Sequence, residues 1–281
     1  MKKTFKEIHM HTNQQLFDIE ELQKEVEAFD KLELKLNWEM LRAREDDQNE
    51  FLYYKEDELI AFVGLYAFGS TVEVTGMVKP RERQKDYFTQ LFTEAMRVVR
   101  EKGYKNILLN APASSQSAKR FLKKQGASYA FTEHQMKWKS RPLEVATDFV
   151  LRQATLSDLD RRVQLNVESF DILREDAVEM ESRINGEEDT DVYMIEVNNE
   201  SVGKIRVTRE KTEAWIYGFS ILPKYQKKGI GRKALQSIVR QESEKGYSVH
   251  LDVETKNDRA LGLYESVGFE AVHAQDYYDY K

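Results

Sequence analysis

The residues most suited to chemistry in this chain lie between Ile221 and Leu235, which reads Ile-Leu-Pro-Lys-Tyr-Gln-Lys-Lys-Gly-Ile-Gly-Arg-Lys-Ala-Leu. Five basic residues (Lys224, Lys227, Lys228, Arg232, Lys233) stand there with no acidic one. The pattern is that of a strand ending, a turn, and a helix starting at the glycines. Glycine lets backbone pass close to a ligand, and the amides of a helix start have no partners of their own. Such a terminus attracts anions, and neighbouring cations add to the attraction. A Gly-x-Gly ahead of a helix is, by itself, most often a tight packing turn. Here Gln226-x-x-Gly229-x-Gly231 follows a strand and Pro223 within the basic run, which marks a phosphate site. A Walker loop is excluded, because Arg232-Lys233-Ala234 does not supply its Gly-Lys-Ser/Thr. A dinucleotide fingerprint tolerates Ala234, but a Rossmann unit usually opens its domain, and about 75 residues of this half precede the loop. That reading is the weaker one.

A second candidate group follows. His250, Asp252 and Glu254 alternate on one face of a strand with Val249, Leu251 and Val253 on the other. The next helix carries Asn257-x-x-Ala260-x-x-Leu263-Tyr264 and stops at Gly268-Phe269. A tyrosine on an amphipathic helix is ordinarily a core residue with its hydroxyl at the surface, and a strand carboxylate is ordinarily solvated or ion-paired. Taken together, the two stretches resemble the GNAT superfamily of acyl-CoA-dependent N-acyltransferases, and the resemblance spans residues 148–281. It implies acetyl-CoA as co-substrate, lying in a V-shaped gap between parallel strands that end near Leu222 and Val253. It implies that the backbone of Phe219, Ser220 and Ile221 pairs with pantetheine. Amides of Gln226, Lys227, Lys228, Gly229, Ile230 and Gly231, with Arg232, would hold the pyrophosphate, and Asn257 would touch the cofactor arm. Tyr264 takes the position of the general acid that protonates the departing thiolate. An alkyl amine, with pKa about 10.4, must also lose a proton. Asp252 stands where some family members, including those that acetylate ribosomal proteins, have a catalytic glutamate. Its side chain is shorter, so Glu254, Glu213, Tyr217 and bulk water remain alternatives.

These groups must be positioned by a fold, and the chain contains it twice. Phe121 to Gly126 and Leu263 to Gly268 align at an offset of 142 that runs on to Trp138 and Tyr280. An offset of 143 pairs Pro80 with Pro223, Gly103-Tyr104 with Gly246-Tyr247, and Leu108 with Leu251. This predicts two divergent copies, 1–140 and 145–281, joined near Pro142. In the second copy, strands are expected over 148–152, 192–197, 202–208, 213–222 and 247–253. Helices are expected from Ser157 (with a Ser-x-x-Asp cap), over 174–184, 229–245 and 257–267, with strands from Phe269. Early hairpins and late strand–helix alternation give an α/β fold with a mixed sheet. The family resemblance makes each copy a mainly antiparallel sheet with one splayed parallel pair and flanking helices. In the first copy Asp86 and Phe88 replace the two glycines, Leu122 replaces Tyr264 and Ser115 replaces Asn257. An aspartate facing a phosphate is repelled by it, so this copy is expected not to hold acyl-CoA and to scaffold the pair or contribute to the acceptor cleft.

Composition narrows the rest. The net charge is −6: residues 1–140 carry 23 basic and 22 acidic residues, 141–281 carry 20 and 27. That argues against a nucleic-acid partner and leaves the basic island alone in an acidic half. There are no cysteines, which removes thiolate nucleophiles and cysteine metal sites. His9, His11, His134, His250 and His273 show no ligand spacing, so no metal is expected. Leu59–Phe68, a nearly apolar run, has half the roughly 20 residues of a bilayer crossing. With no leader pattern, a cytoplasmic location without a membrane partner is expected. Tyr277, Tyr278 and Tyr280 are core or interface residues, or line an acceptor pocket. The leading function is N-acetyl transfer to a primary amine of a small molecule or peptide. The alternatives are a non-catalytic acyl-CoA-binding regulator and an unrelated nucleotide-binding module.

Overall fold

The computed structural model describes residues 3–7, 13–43, 49–143, 148–170 and 172–281. The elements run β1 (Lys3–Glu7), α1 (Asn13–Asp30), α2 (Trp38–Ala43), β2 (Glu50–Lys55), β3 (Glu58–Phe68), β4 (Thr71–Val78), α3 (Tyr87–Lys102), β5 (Asn106–Pro112), α4 (Gln116–Lys124) and β6 (Ser128–Trp138). They continue β7 (Val150–Gln153), α5 (Leu159–Phe170), α6 (Arg174–Ile184), β8 (Thr190–Val197), β9 (Glu200–Glu210), β10 (Glu213–Ile221), α7 (Ile230–Glu244), β11 (Ser248–Glu254), α8 (Asp258–Val267) and β12 (Phe269–Tyr280). Expected and observed elements agree within a few residues. One start differs: the capping box is Thr155 with Asp158, ahead of α5, rather than one begun by Ser157. His9, His11 and the linker residue Glu144 lie outside the described residues.

The chain forms two compact units, 1–132 with 273–281, and 133–272. These differ from the division expected at 140/145, because β6 and β12 each divide between the units. In the second unit the strand order is β6-β11-β10-β9-β8-β7. Only β10 and β11 run parallel, as their connection through α7 requires. Ile230, Ala234, Leu235, Ile238 and Val239 form one buried stripe of α7 that packs on Ile216, Leu251 and Val253. The opposite face is covered by α5 and α6, with Leu165 against Met194 and Leu222.

The first unit repeats this plan as β1-β2-β3-β4-β5-β12, with β4 and β5 parallel. Leu91, Phe92, Ala95, Met96 and Val99 form the corresponding stripe of α3. Its last strand is the end of the chain: Gln275 to Tyr280 pair with Pro112 to Ile107. Tyr277 is buried there, stacked on Phe131 at 4.6 Å between centroids, and Tyr280 meets Phe92 at 5.5 Å. The late tyrosines therefore belong to the first unit's core and not to an acceptor pocket of the second.

Candidate active site

The site of the second unit begins where two strands part. β10 and β11 pair from Glu213/Ser248 to Ile216/Leu251 and no further, although both strands continue. On its other side β10 shifts register against β9 between Tyr217 and Ser220, where Gly218 has φ +53°. This bulge inserts one extra residue, which bends the strand. It explains why the repeat offset changes from 142 to 143 within β4 and β10, since β3 and β4 pair without a shift. The offset returns to 142 by the next strand. Leu109, opposite Val74, is thus the counterpart of Leu251, opposite Ile216, and the expected Leu108–Leu251 match is off by one. Gly203 of β9 permits the bulge: a Cβ there would lie 2.4 Å from the Ser220 carbonyl oxygen.

The loop after β10 is shaped by backbone as expected, with Lys227 at φ +61° and Gly229, the N-cap of α7, at φ +80°. The amides at the start of α7 lack intrahelical acceptors. Lys224 is paired with Glu200 at 2.8 Å and Lys233 with Asp148 at 2.5 Å. Lys227, Lys228 and Arg232 make no ion pair among the described residues, so three cations at this terminus stay uncompensated. Lys228 lies over the Tyr225 ring at 5.0 Å. Gln226 does something its motif position did not reveal. Its Nε2 donates to the Ile221 carbonyl at 2.8 Å, and its Oε1 accepts from Arg259 at 3.2 Å, stapling loop to strand. Arg83 makes the same bond to the Val78 carbonyl in the first unit, at 3.2 Å. Asn257 caps α8, its Oδ1 accepting from the Ala260 amide at 3.1 Å, as Ser115 does for α4 at 3.3 Å. Gly231 packs closely, its absent Cβ 3.4 Å from the Phe219 ring.

Around the opening, the three acid–base candidates separate by face. Leu251 and Val253 point into the core under α7 and α8, and Tyr264 of α8 packs on that core, 6.1 Å from Phe269 between ring centroids. Burial pushes the Tyr264 phenol up to about 12, so it is protonated near neutrality. Asp252 and Glu254 are half-buried on the other face, as strand alternation requires. Asp252 is the first residue past the last paired position, level with Tyr217 on β10, and Glu254 lies two residues farther along. Glu213 stands at the closed end of the pair, about 10 Å of strand from Ile216. It accepts from the Trp215 indole at 3.0 Å. A third carboxylate joins this face from β6: Glu133 is the cross-strand partner of Glu254, and Gln135 of Asp252. Glu133 has no signal in the second copy's sequence, because it belongs to the first repeat.

His250 is buried against Trp215, ring centroids 4.9 Å apart, with Ser248 Oγ at 2.8 Å from Nε2. Burial holds its pKa below the usual value. Among the described residues no group of His, Asp and Glu is arranged to hold a metal. Cavities of about 700 Å3 beside α1 and about 520 Å3 beside the end of α7 include none of these site residues.

In the first unit the same loop is closed. Asp86 keeps the left-handed turn of Gly229, at φ +61°. Phe88, in place of Gly231, lies against Gly76, whose absent Cβ would be 2.6 Å from the ring. Gly76 occupies the stretch that holds Gly218-Phe219 in the second unit, so the aromatic ring has moved from strand to helix. Phe88, Phe92 and Phe121 form an edge-to-face cluster. The basic residues are neutralised: Arg81 by Glu58, Arg83 by Asp30 and Lys85 by Glu82.

The fold and site define a class. Residues 13–127 and 156–269 each match the acetyltransferase (GNAT) family, and the chain belongs to it. Among curated proteins it is similar to the N-alpha-acetyltransferase RimI of Mycobacterium tuberculosis, 42% identical over 57 residues, which are 20% of this chain and 35% of that protein. It is also similar to the ribosomal protein bS18 alanine N-acetyltransferase of Escherichia coli, 35% identical over 68 residues, 24% of this chain and 46% of that one. The matches thus span less than half the length of these relatives. Two solved structures share the fold over nearly the whole chain. A GCN5-related N-acetyltransferase from Sphaerobacter thermophilus has TM-score 0.78 at 17% identity, covering 97% of this chain and 94% of that one. A tandem GNAT protein from the clavulanic acid biosynthesis pathway has TM-score 0.74 at 13% identity, covering 99% and 98%. No helix among the described residues is long and apolar enough to cross a membrane.

Proposed function

We propose that the second unit transfers an acetyl group from acetyl-CoA to a primary amine of a small molecule or peptide, and that the first unit holds no acyl-CoA. The observation that carries this reading is the contrast between the two loops. The second pairs a splayed, bulged strand with three uncompensated cations at a helix start. The first has neither bulge nor uncompensated cation, carries Asp86 at the helix start, and fills the place with Phe88. Family membership supports the donor, and the ribosomal-protein relative supports a peptide amine among the acceptors.

Diphosphate oxygens accept from the amides of Lys228 to Gly231, with Lys227, Lys228 and Arg232 supplying charge. The unpaired edge of β10 from Tyr217 to Ile221 offers backbone donors and acceptors to the extended pantetheine arm. Asp252, with Glu254 on the same face, takes a proton from the amine, whose lone pair then attacks the thioester carbon. As the C–N bond forms and the C–S bond breaks, Tyr264 on the opposite face gives its proton to the sulfur, and the second proton leaving the acylated nitrogen passes through solvent to the Tyr264 phenolate. The Glu133, Asp252 and Glu254 carboxylates on the acceptor side favour a cationic amine in that approach. Thiol release from acetyl-CoA with a panel of peptide amines, polyamines and lysine-like amines tests the reading. Amine-dependent release supports it, and binding of acetyl-CoA without release for any amine makes the protein a binder instead.

A further inference from the structure

Beneath α5 and α6, on the face of the sheet that carries Asp252, lies a charge cluster sealed from solvent. Glu181 is fully buried, Arg162 and Lys204 are each 2% exposed, and Asn166 is 1% exposed. Arg162 Nε donates to one Glu181 oxygen at 2.6 Å, and Asn166 Nδ2 donates to the other at 2.6 Å. The Lys204 ammonium donates to that second oxygen as well. Arg162 is further held by Asn185 and by the Glu181 carbonyl. Two basic side chains thus face one carboxylate; burial pulls the Lys204 pKa below its ordinary value, and the Glu181 carboxylate opposes that shift. An ammonium has three donors, and among the described residues Lys204 uses one. The Asn166 Oδ1 and the Ser220 Oγ are buried without partners beside it, Ser220 being the cross-strand neighbour of Lys204. Lys204 Nζ is 3.6 Å from the position a Cβ on Gly218 would take, so it stands directly behind the bulge.

We propose that Lys204 is a positioning residue for acyl transfer: its buried ammonium, fixed by Glu181, sets a positive charge behind the Gly218 bulge that stabilises the oxyanion formed at the thioester carbonyl. The inference rests on the acetyltransferase reading above. Preorganised charge of this kind acts where charge develops and needs no reorganisation during the reaction. It also explains the missing side chain at Gly218, since a larger residue would screen the charge and would be strained at φ +53°.

Lys204→Met leaves the Arg162–Glu181 pair intact and neutral, so the fold is expected to persist. The expected result is a ten- to hundredfold lower kcat in thiol release, with KM and calorimetric affinity for acetyl-CoA and the melting temperature unchanged. Lys204→Arg, which keeps the charge, should recover most of the rate. If Lys204→Met fails to fold, Lys204→Gln reads the same quantity. Unchanged kcat in a folded variant, or a loss of affinity and melting temperature in step with kcat, overturns the proposal in favour of a packing role. Wild-type protein that binds acetyl-CoA and releases no thiol overturns the reading on which it rests, and a wild type with full activity equal to that of Lys204→Met overturns this inference alone.

Discussion

Tyr264 packs on the core face of β11 and Asp252 lies on the other, the arrangement that the proposed two-sided proton transfer needs. Because burial raises the phenol to about 12, Tyr264 stays protonated through the alkaline range in which amines lose their proton. Tyr264→Phe should lower kcat about a hundredfold or more while leaving acetyl-CoA affinity unchanged, and any alkaline decline of kcat below pH 10 should survive the substitution. Equal turnover in wild type and variant would remove Tyr264 from the mechanism. His250 bears on stability rather than turnover. It faces Trp215, Ser248, Glu213, Lys137 and Asp252. With its folded pKa depressed, the contribution is complete above the unfolded value of about 6.5 and is lost as pH falls through the folded one. Denaturant midpoints should drop between pH 7.5 and 5.5, and His250→Gln should flatten that drop. The left-handed turn at Gly229 was legible from order and spacing, whereas the role proposed for Tyr264 comes from the family resemblance. The capping use of Asn257 and the stapling use of Gln226 were not legible, because side-chain partners are set by the angle at which a loop leaves its strand.

Among the elements, the proposed site depends on the bulge in β10. It lies just past the last residue paired with β11 and places Gly218 over Lys204. Gly203→Ala should disturb it, since the added Cβ would meet the Ser220 carbonyl at 2.4 Å. The expected outcome is weaker acetyl-CoA binding together with a lower melting temperature; an unaffected affinity would show that the cleft does not need the bulge. The sequence showed the bulge only indirectly, as a one-residue change in the repeat offset whose cause a strand pattern does not display. Helix and strand existence was legible throughout the second copy, because α7, α8 and β11 carry clean apolar periodicities and strong glycine stops. The start of α5 was misplaced because Thr155 and Ser157 both offer a capping hydroxyl, and tertiary placement of Asp158 by Arg152 selects Thr155.

At the scale of the whole molecule, each repeat in sequence is completed by a piece of the other. Residues 273–281 finish the first unit, and Glu133–Trp138 belong to the second. Period analysis finds copies but not exchanged ends, since a strand's pattern is the same whichever neighbour it pairs with. That is why Tyr277 read as a possible pocket residue and Glu133 was not considered. Tyr277→Ala should destabilise the first unit by about 3 kcal/mol or more in chemical denaturation, with acetyl-CoA affinity preserved. On the proposed function each chain holds one acyl-CoA, in the second unit, at the loop of Gly229. Calorimetric titration of acetyl-CoA into the full chain and into Gly229→Asp tests it most directly. Asp86 shows that an aspartate adopts this left-handed turn, so the variant should fold while bringing a carboxylate to the loop. One site per wild-type chain and no binding to the folded variant are expected; two sites, or binding retained by Gly229→Asp, would contradict the account.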